Sequence, residues 1–158
     1  MPIDKDQFRA TLGRFASGIT VVTARDADGR DHGMTVSAFS SLSLEPPLVL
    51  VSIARNASVF PHIEAAAHVG INILASDQEA VSRRFASRDG DRFDGVGYHH
   101  GHTGVPLLDG ALASLEVRVV ARHDGGDHVI VVGEVEHVIV RDGHPLVYYR
   151  GGYATLAR

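Results

Sequence analysis

The chain has 158 residues, of which 44% are hydrophobic, with no cysteine and a formal net charge of −4. This length supports one domain with a substantial core and is too short for two ordinary ones, so we predict a single domain over residues 1–158. The missing cysteines exclude disulfides, thiolate metal sites and a cysteine nucleophile, and the acidic balance disfavours nucleic-acid binding.

The first predicted element is an amphipathic helix. Asp4 is a favourable N-cap, Phe8, Leu12 and Phe15 recur at helical spacing, and Gly18 is a plausible stop. We expect the apolar stripe of this helix to lie against the body of the protein.

A hairpin follows the helix. Residues 19–24 are β-branched, residues 26–29 have turn chemistry, and residues 34–39 resume a strand. The continuous apolar run 48–53 then predicts a strand buried on both faces.

Short helices alternate with strands in the middle of the chain. Ser58 is expected to cap a helix that runs to Ala67, and residues 69–74 are strand-like. The Ser76-x-x-Glu79 spacing predicts a capping box that opens a further helix.

The last third combines a long loop with long strands. Residues 87–110 are rich in Gly, Asp and His with little periodicity, which favours a functional loop. Residues 113–123 and 128–140 alternate and are dense in Val and Ile, and residues 146–149 form a last strand. Together these elements predict an α+β, mainly β protein built on a closed or nearly closed antiparallel barrel with a few short helices.

A ledge of small and hydroxylated residues occupies 33–47, between the apolar strands. Thr and Ser hydroxyls both donate and accept, and backbone amides beside small side chains can approach a flat polar ligand closely. The alternative interpretation is an ordinary strand followed by a Ser-rich turn.

Four segments in chain order resemble the flavin reductase-like family, which has an FMN-binding split-barrel fold. They are Phe15–Thr23, Gly33–Ser58, Gly126–Val135 and Pro145–Tyr153. The resemblance spans nearly the whole chain and implies an NAD(P)H-dependent flavin reductase that supplies reduced FMN or FAD to a partner monooxygenase. It also implies a homodimer, with NADH or NADPH as the reductant.

The resemblance places the flavin on two stretches of the chain. The ring system would lie beside Thr35, Val36, Ser37 and Ala38, with Ser40 and Ser41 nearby. The ribityl phosphate would meet Ser52, Ile53, Ala54, Arg55, Asn56 and Ser58, and Phe85 and Arg92 would line the flavin tail. Arg55 could instead be a solvated loop residue, and Ser58 only a helix cap.

The resemblance also implies a nicotinamide site. His128 follows Gly126-Asp127, and this resembles a family motif whose histidine lies near the nicotinamide. His128 is our candidate catalytic residue. Tyr153 matches a position that covers the nicotinamide. A structural histidine and an aromatic residue packed on the barrel are the plain alternatives.

Other motifs give no competing assignment. The glycines from Gly95 to Gly101 miss the dinucleotide-binding spacing by one residue. His99, His100 and His102 share one loop without an i, i+4 pair, so we predict no metal. The charged N-terminus and the lack of a long apolar run predict a cytoplasmic protein without a membrane span.

The rival hypothesis is a non-catalytic split-barrel protein that carries flavin or haem. A pyridoxamine-phosphate-oxidase-like enzyme would share the barrel.

Overall fold

The fold is mainly β, with 46% of residues in strands and 14% in helices. The computed structural model describes residues 2–88 and 90–157. The helices are α1 (Lys5–Leu12), α2 (Phe60–Ala65) and α3 (Glu79–Ala86). The strands are β1 (Ser17–Gly18), β2 (Thr20–Arg25), β3 (Asp31–Val36), β4 (Phe39–Ser43), β5 (Leu48–Ala54), β6 (His68–Ile73), β7 (Tyr98–His100), β8 (Pro106–Leu108), β9 (Ala113–Gly125), β10 (His128–Val140), β11 (Val147–Tyr149) and β12 (Gly152–Ala154).

One large antiparallel sheet organises the molecule. Its seven strands follow the order β3-β2-β6-β9-β10-β5-β4, and smaller sheets join β1-β11-β12 and β7-β8. The prediction of a mainly β, antiparallel fold is confirmed. The ladders among the described residues do not close into a barrel, because β4 pairs with β5 and not with β3, which precedes it.

The core occupies both faces of the sheet. Val21 and Val22 are adjacent on β2 and point to opposite faces, yet neither is exposed to solvent. Val22 packs with Val51 and Ile71 in one cluster, and Val21 packs with Phe85 in the other. Each such side chain contributes about 1.5–3 kcal/mol of transfer free energy, so this double burial holds the sheet that positions the loops.

The predicted strand pair in the last third is confirmed as the hairpin β9–β10. The ladder shifts register near Val132 and again between Val135 and His137, so that Glu136 bulges out and His137 lies opposite Glu116. Gly133 is required at the first shift, since a Cβ there would overlap the Val117 side chain.

The packing predicted for α1 is wrong. Asp4 does cap the helix by accepting from the Asp6 amide at 2.6 Å, but α1 contains no buried residue, and Phe15 just beyond it is 81% exposed. Helical periodicity identifies an apolar face without specifying what covers it.

The capping predictions for the other helices are also wrong. α2 begins at Phe60 after Val59 and has no side-chain cap. The Ser58 hydroxyl instead accepts a hydrogen bond from Arg92. α3 begins after Gln78, whose side chain accepts a hydrogen bond from the Ala75 amide at 2.9 Å. The capping box predicted for Ser76 and Glu79 therefore does not form.

Two further differences concern the strands. β5 alternates between buried and half-buried residues, because the side of it that holds Leu50 and Ser52 is only partly covered. The segment predicted as one loop, 87–110, contains the hairpin β7–β8. No helix within residues 2–88 and 90–157 combines the length and apolar character needed to cross a membrane.

Candidate active site

A polar cavity of about 210 Å³ opens between the end of β3, the β5–α2 loop and the segment after α3. It brings together five predicted site residues from distant parts of the chain: Thr35, Asn56, Ser58, Phe85 and Arg92. Its remaining lining residues are Met34, Ala57, Ala86 and Arg88. A neighbouring cavity of about 290 Å³ shares Ser58, Arg88 and Arg92 with it and extends toward Asp31, His32 and Asp91.

Arg92 is fixed at the boundary of the two cavities. Its Nη1 donates to the Gly33 carbonyl at 2.7 Å, and its Nη2 donates to the Ser58 hydroxyl at 3.3 Å. Burial and the nearby charge of Arg88 both lower the pKa of Arg92. Two arginines that share a cavity wall repel each other, and a bound anion would relieve that repulsion.

Hydrogen bonds connect the cavity wall to the C-terminal strands. The Thr35 hydroxyl donates to the Ser82 carbonyl on α3 at 2.6 Å, and the Ser82 hydroxyl lies 2.8 Å from the Tyr153 hydroxyl. The Arg83 guanidinium lies 4.8 Å from the centre of the Tyr153 ring. These contacts hold β3, α3 and β12 in one arrangement and leave the Tyr153 ring half-buried at the edge.

The predicted ledge lies at the junction of β3 and β4. Ser37 and Ala38 are exposed between the strands, and Ser40 and Ser41 are exposed on the edge strand β4. The Ala38 carbonyl accepts from the Ser52 amide at 3.0 Å. Ser37 also lines an apolar cavity of about 410 Å³ with Phe8, Phe15 and Tyr148, so the ledge separates a polar cavity from an apolar one.

Three predicted flavin contacts, one at the ring system and two at the ribityl phosphate, are part of the sheet. Val36 and Ile53 are buried core residues, and only their backbone groups are available to a ligand. Ala54 ends β5 opposite His128. These residues place the β5–α2 loop, and Asn56 and Ser58 on that loop reach the cavity.

Arg55 does not line the cavity that Asn56 and Ser58 line. Its guanidinium forms an ion pair with Asp124 at the tip of the β9–β10 hairpin, and its amide donates to the Asp127 carbonyl at 2.9 Å. Among the described residues, the cationic side chains that line the polar cavity are Arg88 and Arg92.

His128 begins β10 beside the same loop. Its Nδ1 lies 2.7 Å from the Asp127 carboxylate, and this hydrogen bond is the main reason that the pKa of Asp127 is lowered. The ring is half-exposed. When Nδ1 donates its proton to Asp127, Nε2 is left as an acceptor.

Arg88 was not among the site residues predicted from the sequence. It lines both cavities together with Arg92, four residues later in the chain. Two arginines four residues apart, in a segment otherwise rich in Asp and Gly, are the signal that could have identified it. Met34 was counted as a strand residue, and its position on the cavity wall follows from the tertiary packing.

The site as a whole joins a cavity lined by two arginines to an exposed backbone ledge. Arg88, Arg92 and Ser58 provide charge and donors, and no side chain near them in the described structure forms a nucleophile–base pair by hydrogen bonding. Such an arrangement binds and orients ligands whose own chemistry performs the reaction.

Comparison with known proteins identifies the family. The model for the flavin reductase like domain matches residues 12–157. An NADH-dependent flavin reductase of a Rhodococcus species is 49% identical over 152 residues, which cover 94% of this chain and 84% of the relative. The reductase component of 4-hydroxyphenylacetate 3-monooxygenase from Thermus thermophilus is 44% identical over 153 residues, covering 96% of this chain and 97% of the relative.

A solved structure gives the same result. The NADH:FAD oxidoreductase of Streptomyces globisporus C-1027, in complex with NAD and FAD fragments, superposes with a TM-score of 0.93 at 34% identity. The match covers 98% of this chain and 93% of that one. These similarities confirm the prediction of a flavin reductase, an oxidoreductase, and the chain belongs to the flavin reductase-like family.

Proposed function

We propose that this chain is an NAD(P)H-dependent reductase of FMN or FAD that hands the reduced flavin to a separate monooxygenase. The observation that supports it most directly is the pair Arg88 and Arg92 beside Ser58, next to the exposed ledge at Ser37 and Ala38. This geometry suits a flat molecule with an anionic tail. The sheet would then be the family's split barrel.

The arginine-lined cavity would hold the flavin phosphate. Arg92 is already oriented by Gly33 and Ser58, so little side-chain entropy is lost when an anion binds. The second cavity continues beyond Ser58, Arg88 and Arg92 toward Asp31 and Asp91. It would hold the part of FAD that extends beyond FMN. We therefore propose that both flavins are accepted.

The isoalloxazine would lie along residues 35–38. The Thr35 hydroxyl is already bonded to Ser82, so its role is to fix the strand, and the exposed backbone at Ser37 and Ala38 would face the ring. Once bound, the flavin supplies the acceptor for a hydride from the nicotinamide. The protein contributes position, and it holds the two ring systems together.

His128 and Tyr153 would place the nicotinamide. The Asp127 carboxylate orients the His128 ring, whose Nε2 could accept a hydrogen bond from the carboxamide. Tyr153 is held by Ser82 and Arg83 and would cover the nicotinamide from the side of α3. Neither residue has to exchange a proton during hydride transfer. We place the reaction in the cytoplasm, where reduced nicotinamide nucleotides are available.

The test is a matrix of steady-state assays. FMN, FAD and riboflavin are each combined with NADH and with NADPH, and flavin bleaching is followed without oxygen. We expect catalytic reduction of all three flavins, with a clearly lower KM for FMN and FAD because riboflavin lacks the phosphate. If no combination of flavin and nicotinamide nucleotide is turned over, the proposed function is refuted. A tightly bound flavin that does not turn over would support the alternative of a non-catalytic flavin carrier.

A bulky substitution tests the ledge. Ser37→Trp would place an indole where we position the isoalloxazine, so flavin affinity should fall beyond detection while the fold persists. Asp77→Trp, at an exposed position between β6 and α3, is the matched control. Unchanged flavin titration of the Ser37 variant would show that the ring lies elsewhere.

We also propose that two copies associate. Large apolar side chains remain exposed on β4, on the β4–β5 turn and at the end of strand β10. They include Leu42, Leu44, Val138 and Val140. Contiguous exposed apolar residues mark association surfaces in proteins. Sedimentation should show a dimer, and Leu44→Lys combined with Val140→Lys should shift it toward monomer.

A further inference from the structure

A row of polar side chains crosses the large sheet beneath the β7–β8 hairpin. The ladders place Thr23 opposite Gly70, Gly70 opposite Glu116, and Glu116 opposite His137. Directly opposite residues have Cβ atoms about 4.5–5.5 Å apart and share a face. The row therefore brings a carboxylate and an imidazole from neighbouring strands into contact range, at a cavity that shares no lining residue with the arginine-lined one.

Glu116 is the buried member of this row. Its residue is only 3% exposed, although carboxylates are rarely buried without a partner. The Thr103 amide donates to its Oε1 at 2.8 Å, and the Thr103 hydroxyl donates to the same atom at 2.7 Å. Burial acts to raise the pKa of Glu116, whereas the hydrogen bonds from Thr103 and the His102 backbone, together with the nearby His137, lower the pKa overall.

The loop that covers Glu116 brings a second imidazole. His102 precedes Thr103, and its ring stacks on that of His137 with centroids 4.4 Å apart and an interplanar angle of 28°. One ligand atom from each of His102, Glu116 and His137 lies within 4.8 Å of the others. All three line a cavity of about 360 Å³ that also contains His99 and His100.

We propose that His102, Glu116 and His137 form a binding site for a divalent transition-metal ion such as Zn²⁺. Two neutral imidazoles and one carboxylate are a ligand set that Zn²⁺ uses, and its remaining positions would be completed by water. The loop that holds His99, His100 and His102 lacks a carboxylate of its own, and the sheet supplies both Glu116 and His137.

The geometry favours a metal over a purely structural cluster for two reasons. The ligand atoms of two imidazoles and one carboxylate converge within 4.8 Å of one another on the wall of a cavity, as the ligands of one ion must. The three residues also come from two strands and one loop, so a bound ion would fasten residues 101–105 to the sheet. His100 is already oriented by Asp31 at 2.9 Å, which keeps the neighbouring wall in place.

Cobalt is the probe, since its visible absorption reports coordination directly. Tag-free protein is treated with a chelator, freed of it, and titrated with Co²⁺ and then with Zn²⁺ as a competitor. We expect one Co²⁺ per chain with a d–d absorption band, displacement of that band by Zn²⁺, and a rise in the unfolding temperature with added metal.

Variants separate this site from adventitious histidine binding. His137→Ala and Glu116→Gln should each weaken Co²⁺ binding by about tenfold or more, because each removes a ligand or its charge. His123→Ala, an exposed histidine elsewhere on β9, should bind as the unsubstituted protein does. Equal Co²⁺ affinity in all four proteins, or no Co²⁺ band at all, would overturn the proposal. Circular dichroism checks that each variant is folded.

Discussion

Two of the cavities to which residues 87–110 contribute have opposite chemical character. The first part of this segment contributes Arg88 and Arg92 to a cavity whose cations repel each other, and its later part contributes His102 to a cavity with a buried carboxylate. We propose that the first cavity binds an anion and the second a cation. One irregular segment can therefore contribute to both, because its own arginines set the charge of the first cavity and Glu116 on the sheet sets that of the second.

The largest expected effect reverses the charge of the first cavity. Arg88→Glu should raise the KM for FMN about 100-fold or more and leave the KM for riboflavin unchanged, because only FMN carries the phosphate. Steady-state kinetics with both flavins measure the ratio. Arg118→Glu, at a surface ion-pair position on β9, is the control and should change neither KM. Equal losses for FMN and riboflavin would contradict an anion site.

The next effect concerns the second cavity. A Cβ on Gly101 would overlap the Glu116 carboxylate, so Gly101→Ala should lower the free energy of unfolding by about 1–3 kcal/mol. Gly125→Ala is the matched control, since the nearest atom to its Cβ would be 3.7 Å away. Urea unfolding measures both variants. A Gly101 variant as stable as the control would show that the loop does not rest on Glu116.

A smaller effect tests how the first cavity is held. Thr35→Val keeps the shape of the side chain and removes the hydrogen bond to the Ser82 carbonyl, at a cost of about 1 kcal/mol in unfolding free energy. Thr11→Val removes a hydrogen bond on the exposed helix α1 and should cost less. If the two variants have the same urea midpoint, Thr35 does not fasten β3 to α3.

The smallest effect depends on pH. The hydrogen bond from His32, followed by that from the Arg30 amide, lowers the pKa of Asp26 from 3.8 to about 2. A folded-state pKa below the unfolded value stabilises the protein above pH 3.8, and this stabilisation is lost as pH falls toward 2. The urea midpoint of the protein should exceed that of Asp26→Asn at pH 6, and the difference should shrink by pH 3. A constant difference would exclude the ionised Asp26 as its source.

Part of the site could be predicted from sequence by resemblance alone. The ordered segments indicated Ser58 and Arg92, and the structure places them on one cavity wall. Arg55 was predicted for the same role, yet it pairs with Asp124 across a strand ladder that brings residues 69 positions apart together. Local charge does not reveal which of several cations in nearby loops will face a cavity, since that depends on long-range pairing.

The sequence by itself determined the antiparallel, mainly β architecture and the long β9–β10 hairpin, because alternation of apolar residues follows directly from strand geometry. Only the tertiary structure decided that α1 stays exposed, that β4 pairs away from β3, and that Glu116 and His137 face each other across a bulge. Those outcomes depend on register and on which surfaces meet. Both are set by contacts between residues far apart in the chain, which local patterns do not encode.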